Sequence, residues 1–228
     1  MRRESAHCRN MEAEFWRSRW SEGQIGFHRD EVHPTLTEFA ANQPYFPGAV
    51  FVPLAGKSVD LPWLARQGAK VLAVELVRDA VEALFHEHAL DFERTEGGEL
   101  ATYRATALDL TVYQGDLFSL RAEHLADVTW THDRASVVAL PEEMRTRYGQ
   151  HLSHLLPQNV TLTVTTFEYD QNEMSGPPFS VPQSEVERVF PEFRFERARS
   201  RSLIEGAHHL RERGLSRLEE TVLIGRRA

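Results

Sequence analysis

Strand-like and helix-like segments alternate along most of the chain. The run Lys70–Glu75 is apolar until its last residue, which predicts a strand buried on both faces of a parallel sheet. Residues 79–88 follow with apolar side chains at helical spacing and predict a helix. The earlier run 49–54 predicts another strand, and a helix that ends at Gly68 lies between the two strands. This alternation indicates βαβ units and a parallel sheet.

The rest of the chain continues the pattern with one interruption. Residues 100–104 and 108–113 predict two extended pieces that form an inserted hairpin, and the charged segment 96–99, with its two glycines, predicts a loop before them. The remaining predicted elements are strands at 127–130, 160–166, 194–199 and 218–224, a helix that begins at Pro141 and carries the apolar stripe Met144, Tyr148, Leu152 and Leu155, and a short helix around 186–190.

The stretch up to about residue 45 precedes the first predicted strand. It is expected to form an appended helical cover over the sheet. The remainder contains no repeat, no low-complexity tract and no linker long enough to separate two domains. The sequence therefore predicts a single domain over residues 1–228.

Charge and cysteine content narrow the class of protein. The 228 residues hold 26 Lys plus Arg against 34 Asp plus Glu, a net charge of −8, which argues against nonspecific nucleic-acid binding. Nowhere do about 18 apolar residues run together, and the first residues do not resemble a signal peptide, so we expect no membrane association and a cytoplasmic location. The single cysteine, Cys8, excludes an intramolecular disulfide and a multi-cysteine zinc site. The 11 histidines form no metal-binding motif, so no metal is expected, and the lack of a coiled-coil seam favours a monomer.

Acidic residues follow several of the predicted strands. Glu75 ends one strand, Asp116 follows the next strand of the sheet, and Asp133 precedes Arg134 near a third strand end. Ligands of open parallel sheets bind at this carboxyl edge. Glu75 lies about 20 residues beyond the first strand's turn, where a carboxylate can accept both ribose hydroxyls of a nucleoside, and Asp116 is placed to accept from an adenine amino group. The alternative is that both acids are solvated loop residues or helix caps.

The first turn indicates which nucleoside cofactor fits. Residues 54–58 read Leu-Ala-Gly-Lys-Ser and lack the Gly-x-Gly-x-x-Gly that lets a backbone approach a pyrophosphate. Gly56-Lys57-Ser58 imitates the end of a P-loop, but that motif requires glycine at position 51, where this chain has Phe51. These features exclude ATP and GTP and disfavour NAD. A cofactor with adenosine and no phosphate, S-adenosylmethionine, fits a turn with one glycine.

Several short blocks resemble the thiopurine S-methyltransferase family, most closely its bacterial members. They run in the family's order from Phe15 to Val181 and are specific only when taken together. The blocks are Phe15-Trp16, Trp20, Gly26-Phe27-His28, Val52 to Ser58, Trp63-Leu64-Ala65, Val74-Glu75, Asp133-Arg134-Ala135, Ala139-Leu140-Pro141 and Gly176-Pro177-Pro178-Phe179. The family's usual cysteine in the first turn is Ala55 here, a departure that methyl transfer does not forbid.

The resemblance implies an α/β, Rossmann-like class I methyltransferase fold. Its sheet would be seven-stranded and mostly parallel, with an antiparallel last strand, helices on both faces and the N-terminal cover. The resemblance also implies contacts to S-adenosylmethionine from Trp20, Leu54, Glu75, Asp116, Leu117 and Arg134.

The residue chemistry agrees with parts of this assignment. An indole face attracts a cationic sulfonium, so Trp20 can serve there, although packing with Trp16 four residues away is the alternative. Arg134 follows a strand end and keeps its charge, so it can stabilise an anionic acceptor; a structural ion pair with Asp133 or a glutamate is the alternative. His28, beside Phe27 in the cover, is a candidate for lining the acceptor pocket.

The expected function is S-adenosylmethionine-dependent methyl transfer to the sulfur of small aromatic or heterocyclic thiols such as thiopurines. The bacterial members that the chain resembles are also linked with methylation of selenium and tellurium compounds. Two alternatives stay open. One is a small-molecule O- or N-methyltransferase with His28 or Asp30 as a general base, and the other is a noncatalytic S-adenosylmethionine-binding protein.

Overall fold

The computed structural model of this chain describes residues 13–42, 47–206, 208–212 and 214–227. Cys8 and the first part of the predicted cover lie outside these residues. The helices are α1 over 13–21, α2 Pro34–Asn42, α3 Asp60–Arg66, α4 Arg78–Glu87, α5 Ser136–Ala139, α6 Glu142–Leu155, α7 Gln183–Val189 and α8 His208–Glu212. The strands are β1 Ala49–Val52, β2 Lys70–Glu75, β3 Phe92–Gly97, β4 Leu100–Ala105, β5 Leu110–Gln114, β6 Val128–Asp133, β7 Thr161–Glu168, β8 Phe193–Ser202 and β9 Glu219–Arg227.

These elements fall into two compact units. The first holds the described residues of Met1–Phe46 and Leu54–Ser119, and the second holds those of Pro47–Pro53 and Leu120–Ala228. The organisation as a single domain remains a prediction.

Two parallel strands, β2 and β5, are neighbours in the first unit. Their pairing runs from Val71 opposite Leu110 to Glu75 opposite Gln114. β2 is buried along almost its whole length, as a continuous apolar run requires, and its predicted bounds are confirmed to the residue. The helices α3 and α4 pack against both strands, and α4 buries Ala80, Val81, Leu84 and Phe85.

The inserted hairpin is larger than the sequence predicts. β4 pairs antiparallel with β5, which confirms the predicted pair, and β3 adds a further antiparallel strand, so the order is β3-β4-β5-β2. The prediction that 96–99 forms a loop is wrong, because β3 extends to Gly97 and the turn consists of Gly98 and Glu99. Almost every residue of β3 is exposed, so this strand carries no hydrophobic alternation that a pattern search could detect.

In the second unit four strands run in one direction and β9 runs opposite to them. β1 and β7 each pair in parallel with β6, whereas β9 pairs antiparallel with both β7 and β8, giving the order β1-β6-β7-β9-β8. The expected antiparallel last strand is confirmed. The described residues hold nine strands rather than seven, and the hairpin strands β3 and β4 account for the difference.

The helix α6 begins immediately after Pro141, as predicted, but its buried face is rotated. Its buried residues are Arg145, Tyr148, Gly149, Leu152 and Leu155, whereas Met144 is only partly buried. A Cβ at Gly149 would lie 2.1 Å from the carbonyl oxygen of Val189, so α6 and α7 are in close backbone contact there. None of the described helices has the length and apolar character that crossing a membrane requires.

Candidate active site

Glu75, the last residue of β2, holds its carboxylate between two turns. Its Oε2 accepts the backbone N–H of Gly56 at 2.7 Å, and its Oε1 accepts that of Val77 at 2.8 Å. Burial raises the pKa of Glu75, and backbone N–H bonds from Val77, Gly56 and Leu76 oppose part of the rise. A carboxylate offers about four acceptor positions, so this group retains capacity for further donors such as a pair of vicinal hydroxyls.

The turn formed by residues 54–58 has an unusual backbone. Leu54 has φ +44° and Gly56 has φ +55°, and for leucine this left-handed conformation costs roughly 1–3 kcal/mol. The N–H of Ala55 donates to the carbonyl of Val74 at 3.0 Å, which holds the turn against the end of β2. Strain retained at a strand edge is typical of a ligand-binding turn.

Lys57 makes this turn look like the end of a P-loop, but its side chain has another role. Its Nζ lies 2.6 Å from Oε1 of Glu87 on α4, and the lysine side chain is largely buried. This ion pair holds the lysine side chain against α4. The lysine is therefore already engaged, which agrees with the exclusion of a nucleoside-triphosphate site because position 51 is Phe51 and not glycine.

Trp20 lies directly over the same turn. A Cβ at Gly56 would come 3.2 Å from Cζ2 of the Trp20 ring, so any larger residue would require the indole to move by a few tenths of an ångström. Trp16 instead packs edge-to-face against Phe15 and Phe27, with ring centroids 5.2 and 5.6 Å apart. Trp20 is therefore the tryptophan of α1 that lies next to Gly56, and through Gly56 it adjoins Glu75.

Asp116 and Leu117 follow β5 at the same edge. The N–H of Gly115 donates to the carbonyl of Glu75 at 2.9 Å, which brings the ends of β5 and β2 together. Oδ1 of Asp116 accepts the N–H of Phe118 at 2.9 Å, so this acid does cap the short 3₁₀ turn Leu117–Ser119, as the alternative interpretation held. Asp116 is exposed, Leu117 is buried, and the contact of either residue with adenine remains a prediction.

Phe27 and His28, the residues expected in the acceptor pocket, also belong to the first unit. Phe27 is 50% exposed and packs edge-to-face on Trp20 with ring centroids 6.1 Å apart. Nε2 of His28 lies 3.4 Å from Oδ1 of Asp30, and the histidine side chain is largely buried. The structure thus gathers Trp20, Leu54, Glu75, Asp116, Leu117, Phe27 and His28 in one unit.

These groups fit a nucleoside cofactor that carries a cationic sulfur. A buried carboxylate with spare acceptor capacity suits ribose hydroxyls, and an indole held over a glycine supplies a ring for a cation. The described residues contain no group of three or more His, Cys, Asp and Glu that could hold a metal ion.

In the second unit, Asp133 ends β6 as a fully buried acid. Its Oδ2 accepts the hydroxyl of Tyr148 at 2.7 Å and its Oδ1 accepts the N–H of Ser136 at 2.8 Å. Burial raises the pKa of Asp133 to about 6, although both hydrogen bonds favour the ionised form. Arg134 follows this acid and is partly exposed. Its predicted contacts with cofactor and acceptor remain predictions.

The Gly-Pro-Pro-Phe block forms a shaped loop, as its composition predicts. Gly176 has φ +79°, and a Cβ there would meet the ring of Phe179 at 2.6 Å. The N–H of Phe179 donates to the carbonyl of Val138 on α5 at 2.7 Å. The hydroxyl of Tyr169 donates to the backbone carbonyl of Pro178 at 2.6 Å. The loop is therefore attached to α5 by its backbone.

Arg145 is a residue of this region that the sequence reasoning missed. It is buried on α6, where Nη2 lies 2.8 Å from Oε1 of Glu185 and Nη1 donates to the carbonyl of Val137 at 3.2 Å. Its guanidinium also lies 5.8 Å from the centroid of the Phe179 ring. The only sequence signal is its position, three residues before the buried Tyr148.

The pKa of Asp133 leads to a pH-dependent prediction. At pH values between 3.8, the ordinary pKa, and about 6, Asp133 is protonated in the folded protein and ionised in the unfolded chain. The stabilisation that this group contributes is therefore present below pH 3.8 and is lost as the pH rises to about 6. Asp133→Asn does not titrate, and we expect its free energy of unfolding to rise relative to wild type by up to about 3 kcal/mol between about pH 4 and pH 7.

Urea unfolding of the two proteins across this pH range measures the difference. The control is Glu143→Gln, which replaces an exposed acid on the same helix as Tyr148. Parallel profiles for Asp133→Asn would contradict the raised pKa.

Comparison with known proteins supports one family. A model of the thiopurine S-methyltransferase family matches residues 11–228. A thiopurine S-methyltransferase of Pseudomonas putida strain KT2440 is 45% identical over 213 residues, covering 93% of this chain and 98% of the relative. One of Pseudomonas aeruginosa strain PAO1 is 42% identical over 216 residues, covering 94% and 98%.

Solved structures share the fold at low sequence identity. A 1,6-didemethyltoxoflavin-N1-methyltransferase of Burkholderia thailandensis, with 1,6-didemethyltoxoflavin and S-adenosylhomocysteine bound, has a TM-score of 0.62 at 16% identity, and the match covers 97% of this chain and 90% of that one. A SAM-dependent methyltransferase of Anabaena variabilis has a TM-score of 0.61 at 13% identity and covers 95% of each chain. These neighbours confirm the class I methyltransferase fold.

Proposed function

Because the chain belongs to the thiopurine S-methyltransferase family, it is an S-adenosylmethionine-dependent methyltransferase, and we propose that it methylates the sulfur of small aromatic or heterocyclic thiols. Thiopurines are the acceptors that the family name suggests, and selenium or tellurium compounds are further candidates. The observation that carries the proposal is the family match over residues 11–228. We also propose that the protein is a cytoplasmic monomer and that it binds neither nucleic acid nor membranes.

Five residues of the first unit are proposed to hold the cofactor. When bound, S-adenosylmethionine supplies an electrophilic methyl group on a cationic sulfur. Glu75 accepts the ribose hydroxyls and Asp116 the adenine amino group, while Leu54 and Leu117 contribute apolar contact. The indole of Trp20 faces the sulfonium. The support for this arrangement is the geometry that joins Trp20, Gly56 and Glu75.

The proposed acceptor chemistry needs no general base. A thiolate is already a strong nucleophile, so catalysis can come mostly from holding donor and acceptor in line, which can supply several kcal/mol or more. Arg134 is proposed to contact the cofactor and to favour the anionic acceptor through its permanent charge. Phe27 and His28 are proposed to line the acceptor pocket.

A base-free mechanism predicts that the rate follows the acceptor's own titration. With two thiophenols whose pKa values differ by about two units, the midpoints of the pH–rate curves should differ by about two pH units. Arg134→Ala should lower the rate most below the acceptor's pKa, and Arg134→Lys should cost less because it keeps the charge. Superimposed curves for the two thiophenols would contradict the mechanism.

The same pH–rate measurement tests the alternative of O- or N-methyl transfer, which the contact between His28 and Asp30 favours. His28 lies 3.4 Å from Asp30, and a carboxylate next to an imidazole can orient it as a general base. A protein base would give one pH profile for both thiophenols, and His28→Gln would abolish the rise of the rate with pH.

The proposed cover should respond to the cofactor. If Trp20 and its neighbours close over the ligand, S-adenosylhomocysteine should slow tryptic cleavage after Arg17 and Arg19 on α1, because closure excludes water and protease alike. Mass spectrometry of timed digests measures the rates. Trp20→Ala should remove the protection while cleavage of the free protein continues, and equal cleavage of wild type with and without ligand would count against closure.

A further inference from the structure

Asp133 accepts a hydrogen bond across the short segment that contains Arg134. The carboxylate receives the N–H of Ser136 at 2.8 Å, so the acid at the end of β6 is bonded to the first residue of α5. Only Arg134 and Ala135 lie between these two positions. A hydrogen bond that spans such a short segment leaves its backbone little freedom.

The two residues that this hydrogen bond joins, Asp133 and Ser136, each make a further hydrogen bond. The hydroxyl of Tyr148, a fully buried residue of α6, donates to the second carboxylate oxygen of Asp133 at 2.7 Å. On the other side, the hydroxyl of Ser136 donates to the carbonyl of Pro53 at 3.1 Å. The N–H of Phe179 also donates to the carbonyl of Val138 at 2.7 Å, which anchors α5 to the Gly-Pro-Pro-Phe loop.

We propose that Asp133, oriented by Tyr148, is a positioning residue that sets the backbone from which the Arg134 guanidinium reaches the acceptor. This inference rests on the acceptor role of Arg134 under the proposed function. An arginine has a long, flexible side chain, so the place of its charge depends on a fixed Cα and on supporting hydrogen bonds. Asp133 acts through the arginine and does not itself meet the acceptor.

A double-mutant cycle tests this relation. Turnover of thiophenol to methyl phenyl sulfide is measured for wild type, Asp133→Ala, Arg134→Ala and the double variant. Misplacing a catalytic group by about 1 Å can cost about 100-fold, so we expect Asp133→Ala to lower kcat/KM roughly 10- to 100-fold. In the Arg134→Ala background the same change should alter kcat/KM by no more than about twofold.

Conservative variants separate positioning from general destabilisation. Asp133→Asn keeps an acceptor for the Ser136 N–H and should restore most of the activity that Asp133→Ala loses. Tyr148→Phe removes the hydroxyl while preserving the ring, and its smaller loss should also vanish in the Arg134→Ala background. If Asp133→Ala does not fold, the cycle is run with Tyr148→Phe.

The matched control is Tyr103→Phe. Tyr103 is also fully buried, and its hydroxyl bonds to Arg94 and Glu82 in the first unit. We expect this substitution to change turnover by the same factor in the wild-type background and in the Arg134→Ala background.

Two results would overturn the proposal, and they are distinguishable. If Arg134→Ala lowers turnover but Asp133→Ala costs the same factor in both backgrounds, Asp133 does not act through Arg134. If Arg134→Ala leaves turnover of thiophenol unchanged, the acceptor role of Arg134 fails first, and the positioning role of Asp133 fails with it.

Discussion

Glu75→Ala is expected to weaken the binding of S-adenosylhomocysteine by about 1.5–3 kcal/mol, the loss typical of a hydrogen bond to a charged group. This corresponds to roughly a 10- to 150-fold rise in Kd. The change also removes the acceptor for the N–H groups of Gly56 and Val77, so the turn that adjoins Trp20 loses a tether. Isothermal titration calorimetry measures the affinity without turnover.

The control for this prediction is Glu87→Gln. Glu87 also loses a negative charge, and it pairs with Lys57 of the same turn, but it lies on α4 and is not proposed to meet the cofactor. Its affinity should match wild type. An unchanged Kd for Glu75→Ala would remove Glu75 from the cofactor site.

Arg145→Met is expected to lower the free energy of unfolding by about 1.5–3 kcal/mol, because it removes the hydrogen bond between the buried guanidinium and Glu185 and leaves that carboxylate only the more distant Arg188. The Arg145 side chain is 5% exposed and that of Glu185 is 19% exposed, so water cannot replace the lost contact well. The carbonyl of Val137 on α5 loses its guanidinium donor as well. Urea unfolding measures the loss.

A second arginine on the same glutamate provides a matched control. Arg188 lies 3.5 Å from Oε1 of Glu185 and 2.9 Å from Glu142, but its side chain is 50% exposed. Arg188→Met should therefore cost no more than about 1 kcal/mol. Equal losses for the two variants would contradict a special contribution from the Arg145 pair, and a double Arg145→Met, Glu185→Met variant should recover part of the loss.

The elements that the sequence predicts best are those whose own residues determine them. β2 is correct to the residue, because burial on both faces leaves an uninterrupted apolar run that ends at a charged Glu75. β3 was missed because its register comes from pairing with β4, and its exposed residues have no periodicity of their own.

The buried face of α6 was misjudged for a different reason. Apolar spacing predicts a buried face that includes Met144, whereas in the structure Arg145 is buried and Gly149 lies against Val189. A pattern of apolar positions treats arginine as a surface residue, and only the tertiary partner Glu185 makes its burial favourable.

The candidate site also combines features that the sequence predicts with features that depend on tertiary contacts. Its acids were predictable because carboxyl ends of parallel strands meet at one edge, and Glu75 and Asp116 do end neighbouring strands. The bond from Gly56 to Glu75 and that from Tyr148 to Asp133 span 19 and 15 residues. Such partners depend on how turns and helices are placed in three dimensions, which residue spacing alone does not encode.

The contact between Trp20 and Gly56 makes the choice of residue at one position depend on the other, although 36 residues separate them in the sequence. A side chain at position 56 would be strained by φ +55° and would also crowd the indole at 3.2 Å. Replacing the tryptophan with a small residue would relieve only the contact with the indole, because the positive φ of residue 56 would still favour glycine. A library built to change the contacts with the cofactor should therefore randomise position 20 and keep Gly56.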